Sequence, residues 1–322
     1  MHALQKNKTM KQFKLMVLFA IFCIQFIAFA QEPADYVNPF IGTSNYGATF
    51  PGPIAPRGMA SISPFNVAGA LNKLEKDSQW LSNPYVHENT FLTGFSQVNL
   101  SGVGCPDLGV LLLMPTTGEL ETNHLKYGST YKNEVAKAGY YSTHIDKYDI
   151  KAEFTASKHV GVSKFTFPNG QANVLLNLGL GLTNEQGAMV QVVSSTEIQG
   201  MRSVGTFCYN SPEAAYPVYF VAKFSKPADR FGVWKKPAKY EGTEAQWMAY
   251  NGKNRLMEQS TKMVVGDSIG SYFSYNFEKT ETVEVKIGVS YVSIENAREN
   301  LEKETGNKSF DAVCKETYNE WN

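Results

Sequence analysis

Short runs in which apolar and polar residues alternate, each closed by turn residues, dominate the chain from about residue 36 to residue 294. A period of two puts successive side chains on opposite faces of a half-buried strand. The strands it predicts are 58–64, 92–100, 108–114, 150–157, 160–167, 172–178, 190–198, 217–224, 261–265, 271–277 and 283–292. Phe167-Pro168-Asn169-Gly170, Lys226-Pro227-Ala228-Asp229 and Glu278-Lys279-Thr280 punctuate them with residues that favour chain reversal. Many short strands without helical patterns between them predict an all-β fold, a large antiparallel β-sandwich over 31–293. Beyond Ser293 the period changes. Ile294, Ala297 and Leu301 share a helical face, Gly306 interrupts it, and Ser309 or Asn307 can cap a second helix. In that second helix Phe310, Val313, Cys314, Thr317 and Trp321 fall at three- and four-residue spacings. Residues 294–322 therefore read as a short α-helical linker to a further domain outside the chain. The competing arrangement is a last helix folded back on the sandwich.

The run 94–109 is the most informative stretch. Phe95, Gln97, Asn99 and Ser101 line up on one strand face, with Val98 and Leu100 on the other. A loop with Gly102, Gly104, Cys105, Asp107 and Gly109 follows. Neutral amides and hydroxyls gathered in this way suit a sugar better than a phosphate or a metal ion. The plainer account is a polar outer face followed by a tight turn.

The N-terminus changes the compartment. Lys6, Lys8, Lys11 and Lys14 precede the apolar run 15–29, and Ala28-Phe29-Ala30 offers a small-x-small cleavage site. Residues 1–30 are expected to be a secretory signal peptide, with Met10 as an alternative start. The run is short for a membrane span, and the neighbours of Cys23 do not favour lipid attachment. An exported, periplasmic or extracellular bacterial protein follows, with no membrane contact after cleavage. Thirty basic and thirty acidic residues balance, which disfavours nucleic acid as a partner. Cys105, Cys208 and Cys314, an odd and widely spaced set, imply no disulfide framework and no Cys-x-x-Cys pair.

Catalytic chemistry is not visible. No hydrolytic serine elbow is expected, His-Glu-x-x-His does not occur, and Gly179-Leu180-Gly181 lacks the third glycine of a dinucleotide loop. His87, His124, His144 and His159 are scattered and read as surface or strand residues rather than metal ligands. Asp107 close to Cys105 would disfavour a thiolate, so Cys105 reads as a small structural residue. Asp77, Glu88, Asp107 and Glu185 show no spacing that marks a catalytic carboxylate pair.

Several blocks resemble glycoside hydrolase family 92. They are Tyr36-Val37-Asn38-Pro39-Phe40-Ile41-Gly42-Thr43, Thr49-Phe50-Pro51-Gly52, Pro56-Arg57-Gly58-Met59, Ser63-Pro64, the run from Gly94 to Cys105, and Met114-Pro115-Thr116. The resemblance implies a calcium-dependent, inverting exo-α-mannosidase acting on mannose-containing glycans. It implies an N-terminal β-sandwich joined in cis to a larger C-terminal (α/α)6 barrel that carries the general acid, the general base and most calcium ligands. No catalytic residue and no metal ligand is then expected in this chain, whose loops would border the sugar. Trp80, Asn45, Tyr46, Thr49, Gln97, Asn99, Cys105 and Asp107 are the implied substrate-binding residues. The family often has histidines where Gln97 and Asn99 stand, and more glycine and histidine in the loop from Gly42 to Phe50. Trp80 would lay its ring on sugar C–H groups, or else fill the core. Asp107 would touch a hydroxyl, or else cap its own turn. The alternative function is a stand-alone carbohydrate-binding module without hydrolysis.

Overall fold

The structure is a computed structural model that describes residues 32–69, 71–102, 104, 106–183, 187–205, 211–236, 255–258 and 262–322, together with Lys14 and Met16. The expected signal peptide, apart from those two residues, and the whole of Cys105 and Cys208 lie outside this set. Among the described residues no helix is long and apolar enough to cross a membrane.

Among the described residues, two large sheets and a ribbon make up the fold. In spatial order the smaller sheet contains β1 (Ser63–Pro64), β3 (Phe95–Ser96), β6 (Leu112–Thr117), β11 (Gly170–Asn177), β18 (Ile269–Phe277), β15 (Arg230–Lys235) and β16 (Arg255–Glu258). The larger begins with β17 (Met263–Gly266), β12 (Ala188–Ser194), β13 (Glu197–Val204), β14 (Tyr216–Phe224) and β19 (Glu281–Ser290). It continues with β10 (Val160–Phe167), β9 (Ile150–Ala156), β8 (Tyr140–Ile145), β7 (Ser129–Lys137) and β2 (Phe91–Leu92). The ribbon pairs β4 (Val98–Asn99) with β5 (Leu108–Val110). Every one of these pairings is antiparallel.

Alternation explains the core. On β19 the side chains of Val283, Val285, Ile287 and Val289 are fully buried between the sheets, in one cluster with Phe165, Phe167, Phe220 and Phe273. Phe224 of the larger sheet stacks on Phe273 of the smaller at 4.1 Å. Two expected strands prove to be composite. The run 190–198 is a hairpin, β12 turning into β13. The run 92–100 is cut into three short strands, first where Gly94 (φ +153°) turns the backbone against Leu112 and Leu113 and again at Gln97, beyond which the chain leaves the smaller sheet for the ribbon. β7, largely exposed along one face, and β8, mostly buried but without alternation in Tyr140-Tyr141-Ser142-Thr143-His144-Ile145, carry too weak a period-2 apolar signal to be predicted.

The two helices expected over 294–322 form and lie against the sandwich. α2 (Ile294–Glu304) and α3 (Phe310–Trp321) follow the short α1 (His124–Tyr127), and the hydroxyls of Ser293 and Ser309 cap α2 and α3. Ala297, Leu301, Phe310 and Val313 pack on Val160, Val162 and Val221. Gly288 is where the contact is closest: a Cβ there would stand 2.4 Å from the carbonyl oxygen of Ala297. Lys286 donates to the carbonyls of Thr305, Gly306 and Lys308, pinning the turn between the helices. Near the end of α3, Tyr318 donates to Asp35, Trp321 Nε1 to Ile54 O, and the Asn322 side chain accepts from Ala34 N–H.

Candidate functional site

The implied site residues come from loops, and the loop 40–50 organises them. Gly42 (φ +82°) and Asn45 (φ +53°) both adopt left-handed backbone, and the N–H of Gly47 closes the turn onto Ser44 O at 2.8 Å. A Cβ on Gly47 would fall 2.0 Å from Gly42 O, so that approach needs glycine. Thr49 Oγ1 donates to Ile41 O at 2.9 Å and ties the two arms together. The loop is fastened to the segment 83–88 by three bonds. Asn83 Nδ2 donates to Gly47 O (2.6 Å), His87 N–H to Thr43 O (2.9 Å) and Asn45 N–H to the Glu88 carboxylate (2.9 Å). The Asn45 N–H, with Lys73 and Ser44 nearby, holds the Glu88 carboxyl below the usual carboxylate range. Gly102 N–H donates to Ala48 O at 2.6 Å and brings the end of the 94–109 run to the same place.

On this loop surface Trp80 and Tyr46 are exposed (59% and 63%), as is Asn45, while Thr49 is half-buried. Trp80 is therefore a surface aromatic and not a core residue. The structure brings Asn45, Tyr46 and Thr49 onto one loop and carries Trp80 on the connection leading to Asn83, which bonds that loop.

Gln97 and Asn99 do not face a sugar in this structure, which corrects the expectation drawn from their strand face. Gln97 does share a face with Phe95, but that face is the inside of the sandwich, where Phe95 meets Phe154 at 4.3 Å. Gln97 Nε2 donates to Phe95 O at 3.0 Å, and its Oε1, against Gly161, is buried with no hydrogen-bond partner among the described residues. Asn99 sits just past a register shift and acts as a clamp. Its amide donates to Ser61 O (2.8 Å) and accepts from Ser96 Oγ (2.6 Å). Buried amides are retained where they satisfy neighbouring groups, and Asn99 does so inside the fold. Asp107 is turned to its own backbone: it accepts from Leu108 N–H (2.7 Å) and Gly205 N–H (3.2 Å), with Tyr216 Oη at 3.4 Å. Its carboxylate ties the ribbon to the end of β13 and helps, after burial, to push the Tyr291 phenol up.

Sequence reasoning passed over the residues beneath the loop. Glu134 sits in a bulge of β7, opposite β8, next to Asn133 in left-handed backbone (φ +57°). Its carboxylate accepts from Tyr141 Oη (2.6 Å) and Tyr85 Oη (3.0 Å), and Tyr85 Oη lies 3.3 Å from His87 Nδ1. Burial raises the Glu134 carboxyl above its ordinary value, opposed by the Tyr141 and Tyr85 hydroxyls and by His87. Burial also pushes the Tyr85 and Tyr141 phenols far up. A bulge is a tertiary feature with no signature in the β7 sequence, and His87-Glu88 beside Asn83 was the only local hint.

Gly266-Asp267-Ser268-Ile269-Gly270 does match the spacing of a serine elbow, contrary to the expectation of none. It spans the crossing from β17 to β18, strand on both sides, and so lacks the strand-to-helix turn that presents a nucleophile. A cleft of about 790 Å³, lined by residues that include Leu120, His124, Asn177, Trp234 and Lys236, contains none of the implied site residues. Burial lowers the His124 pKa there.

Residues 36–290 match the model of the glycosyl hydrolase family 92 N-terminal domain. The chain belongs to that family. A family 92 alpha-mannosidase from Bacteroides thetaiotaomicron, solved in complex with mannoimidazole, is 28% identical with a TM-score of 0.73, over 90% of this chain and 36% of that one. A family 92 inverting mannosidase from Bacteroides thetaiotaomicron VPI-5482 shares the fold at 20% identity and a TM-score of 0.68, over 91% of this chain and 36% of its own. An uncharacterized secreted glycosidase of Arthroderma benhamiae is 25% identical over 302 residues, 86% of this chain and 35% of that protein. This family 92 chain thus spans little more than a third of the length of these relatives.

Proposed function

We propose that this chain is the sugar-bordering, non-catalytic part of an exported exo-α-mannosidase that acts on mannose-containing glycans with inversion. The observation that carries the reading is the match of residues 36–290 to the family's N-terminal domain, over about a third of the length of glycan-active relatives. The secreted relative and the lysine-rich, apolar N-terminus support export. Inverting hydrolysis needs one carboxylic acid to protonate the leaving oxygen and one carboxylate to activate water across the bond. The reading assigns both to the remainder of a longer protein, joined in cis. Calcium belongs to the same reading. Among the described residues no group of three or more His, Cys, Asp and Glu side chains is placed to hold a metal ion, so no step in this chain is routed through it.

The chain's own contribution is recognition. Trp80 offers an exposed flat face to sugar C–H groups, and Tyr46 and Asn45, exposed on the loop that Asn83 bonds, offer hydroxyl and amide groups. The test is an assay of the purified 322-residue chain beside calorimetric titration with mannobiose and a high-mannose glycan. Heat of binding without mannose release is the expected result. Calcium-dependent mannose release by this chain alone overturns the division of labour, and no heat with either glycan overturns the recognition role.

A further inference from the structure

His87 lies on the same loop surface, and the groups beneath it dictate which of its ring nitrogens carries hydrogen. The Glu134 carboxylate, when ionised, can only accept. It meets Tyr141 Oη at 2.6 Å and Tyr85 Oη at 3.0 and 3.2 Å. Each phenol has one proton, and each gives it to Glu134. Tyr85 Oη can then only accept from His87, 3.3 Å away, so the hydrogen in that contact stands on Nδ1. A neutral imidazole has a single N–H, which leaves Nε2 a bare acceptor. The residue is held from both sides: Phe40 meets the ring edge-on at 5.7 Å and 65°, and the backbone N–H is bonded to Thr43 O. His87 is nevertheless an exposed residue, and Nε2 stands on the ring edge away from the Nδ1–Tyr85 contact.

We propose that His87 is a sugar-binding residue of this surface, fixed by Tyr85 and Glu134 in the Nδ1–H form so that Nε2 accepts a hydrogen bond from a glycan hydroxyl. This rests on the proposed recognition role of the loops. The arrangement has a cost that supports a function: two phenols are buried and a carboxylate half-buried to orient one exposed ring. A hydroxyl is the ligand group it selects, because a bare Nε2 needs a donor and a carboxylate or phosphate ligand would have none to offer at neutral pH. Exposed imidazoles without such a partner favour hydrogen on Nε2, so the built form is the opposite of the default.

The experiment is nitrogen NMR of the full chain with ¹⁵N-labelled histidine and tryptophan, with His87 assigned by the signals lost in His87→Gln. Wild-type protein at mildly alkaline pH is expected to show a protonated Nδ1 and an unprotonated Nε2, and Tyr85→Phe to shift the ring toward Nε2–H. A wild-type ring already in the Nε2–H form overturns the proposal without recourse to any variant. Methyl α-mannoside or mannobiose is then added. Shifts at both His87 Nε2 and the Trp80 indole support the proposal. A shift at Trp80 with none at His87 overturns it and leaves the recognition reading standing, whereas silence at both overturns the two together.

Discussion

Where α2 and α3 cover the larger sheet, contact is made by apolar side chains and close backbone: Leu301 and Ala297 over Gly288, Phe310 and Val313 over Val160 and Val162. The segment 65–93 between β1 and β3 is closed by other means. It contains little regular structure, and asparagine amides do the work of a missing strand. Asn66 exchanges two hydrogen bonds with the backbone of Val86, through Nδ2 (2.8 Å) and Oδ1 (2.9 Å). Asn89 does the same with Leu74 (2.7 and 3.1 Å) and also donates to Asn66 O, while Asn72 brackets Phe91. A primary amide has the same donor and acceptor as a peptide group, so it can stand in for one rung of a ladder. The difference teaches where each region can carry function. An apolar interlock excludes ligand, whereas an amide-stapled loop leaves Trp80 and His87 on its outside.

Substitutions can break this contrast. Leu301→Ala empties a packed site between α2 and β19 and is expected to cost about 2–5 kcal/mol of global stability in urea unfolding. If amide protection in β19 stayed unchanged while α2 alone opened, the helices would be an appendage rather than part of the core. Asn89→Ala leaves the Leu74 and Asn66 backbone groups unpaired and is expected to cost about 1–3 kcal/mol. Its mark is local: faster hydrogen exchange over 66–91, with β10 and β19 unaffected. Uniform loss of protection would erase the distinction between the two regions.

Trp80→Ala sharpens the functional side. Since the ring is exposed, stability is expected to stay within about 0.5 kcal/mol of wild type, while mannobiose affinity by calorimetry falls roughly tenfold. Unchanged affinity would remove Trp80 from the site. The smallest effect concerns pH. Glu134 binds its proton more tightly folded than unfolded, since burial raises it above the ordinary 4.5. That contribution is complete below the unfolded value and is lost as pH rises through the folded one. Glu134→Gln cannot titrate, so wild-type stability relative to this variant should decline between acid and neutral pH. Denaturation midpoints that move in the opposite sense would show that the two phenol donors outweigh burial.

The alternation of β19 is legible in the chain because one face is buried against the other sheet along its whole length, and β11 is legible as a short apolar run buried on both faces. β7 is not, since its place next to the short edge strand β2 leaves much of its surface polar, and β8 is not, since Tyr140-Tyr141-Ser142-Thr143-His144-Ile145 has no apolar-polar alternation although the strand is mostly buried. At the candidate site the resemblance supplied Trp80, Asn45, Tyr46 and Thr49, which no periodicity could have singled out. Asp107 as the cap of its own turn was already the plainer account. Gln97 and Asn99 show the limit. Period 2 put Gln97 on the face of Phe95, but whether that face looks out or in depends on which sheet packs over it, and no local pattern encodes that.

The amino-acid sequence by itself determined the all-β architecture, the change to helix after Ser293 and membership of the family, because these reside in local periodicity and in ordered blocks of residues. Only the tertiary structure decided the inward turn of Gln97 and Asn99, the closure of 65–93 by asparagine amides, and the Glu134–Tyr85–His87 chain. The amide closures, the Asn99 clamp on Ser61 and the Glu134–Tyr85 contact join groups fifteen or more residues apart at hydrogen-bond distance, and Gln97 turns in against Gly161. That meeting is set by the packing of two sheets and not by any stretch of sequence alone.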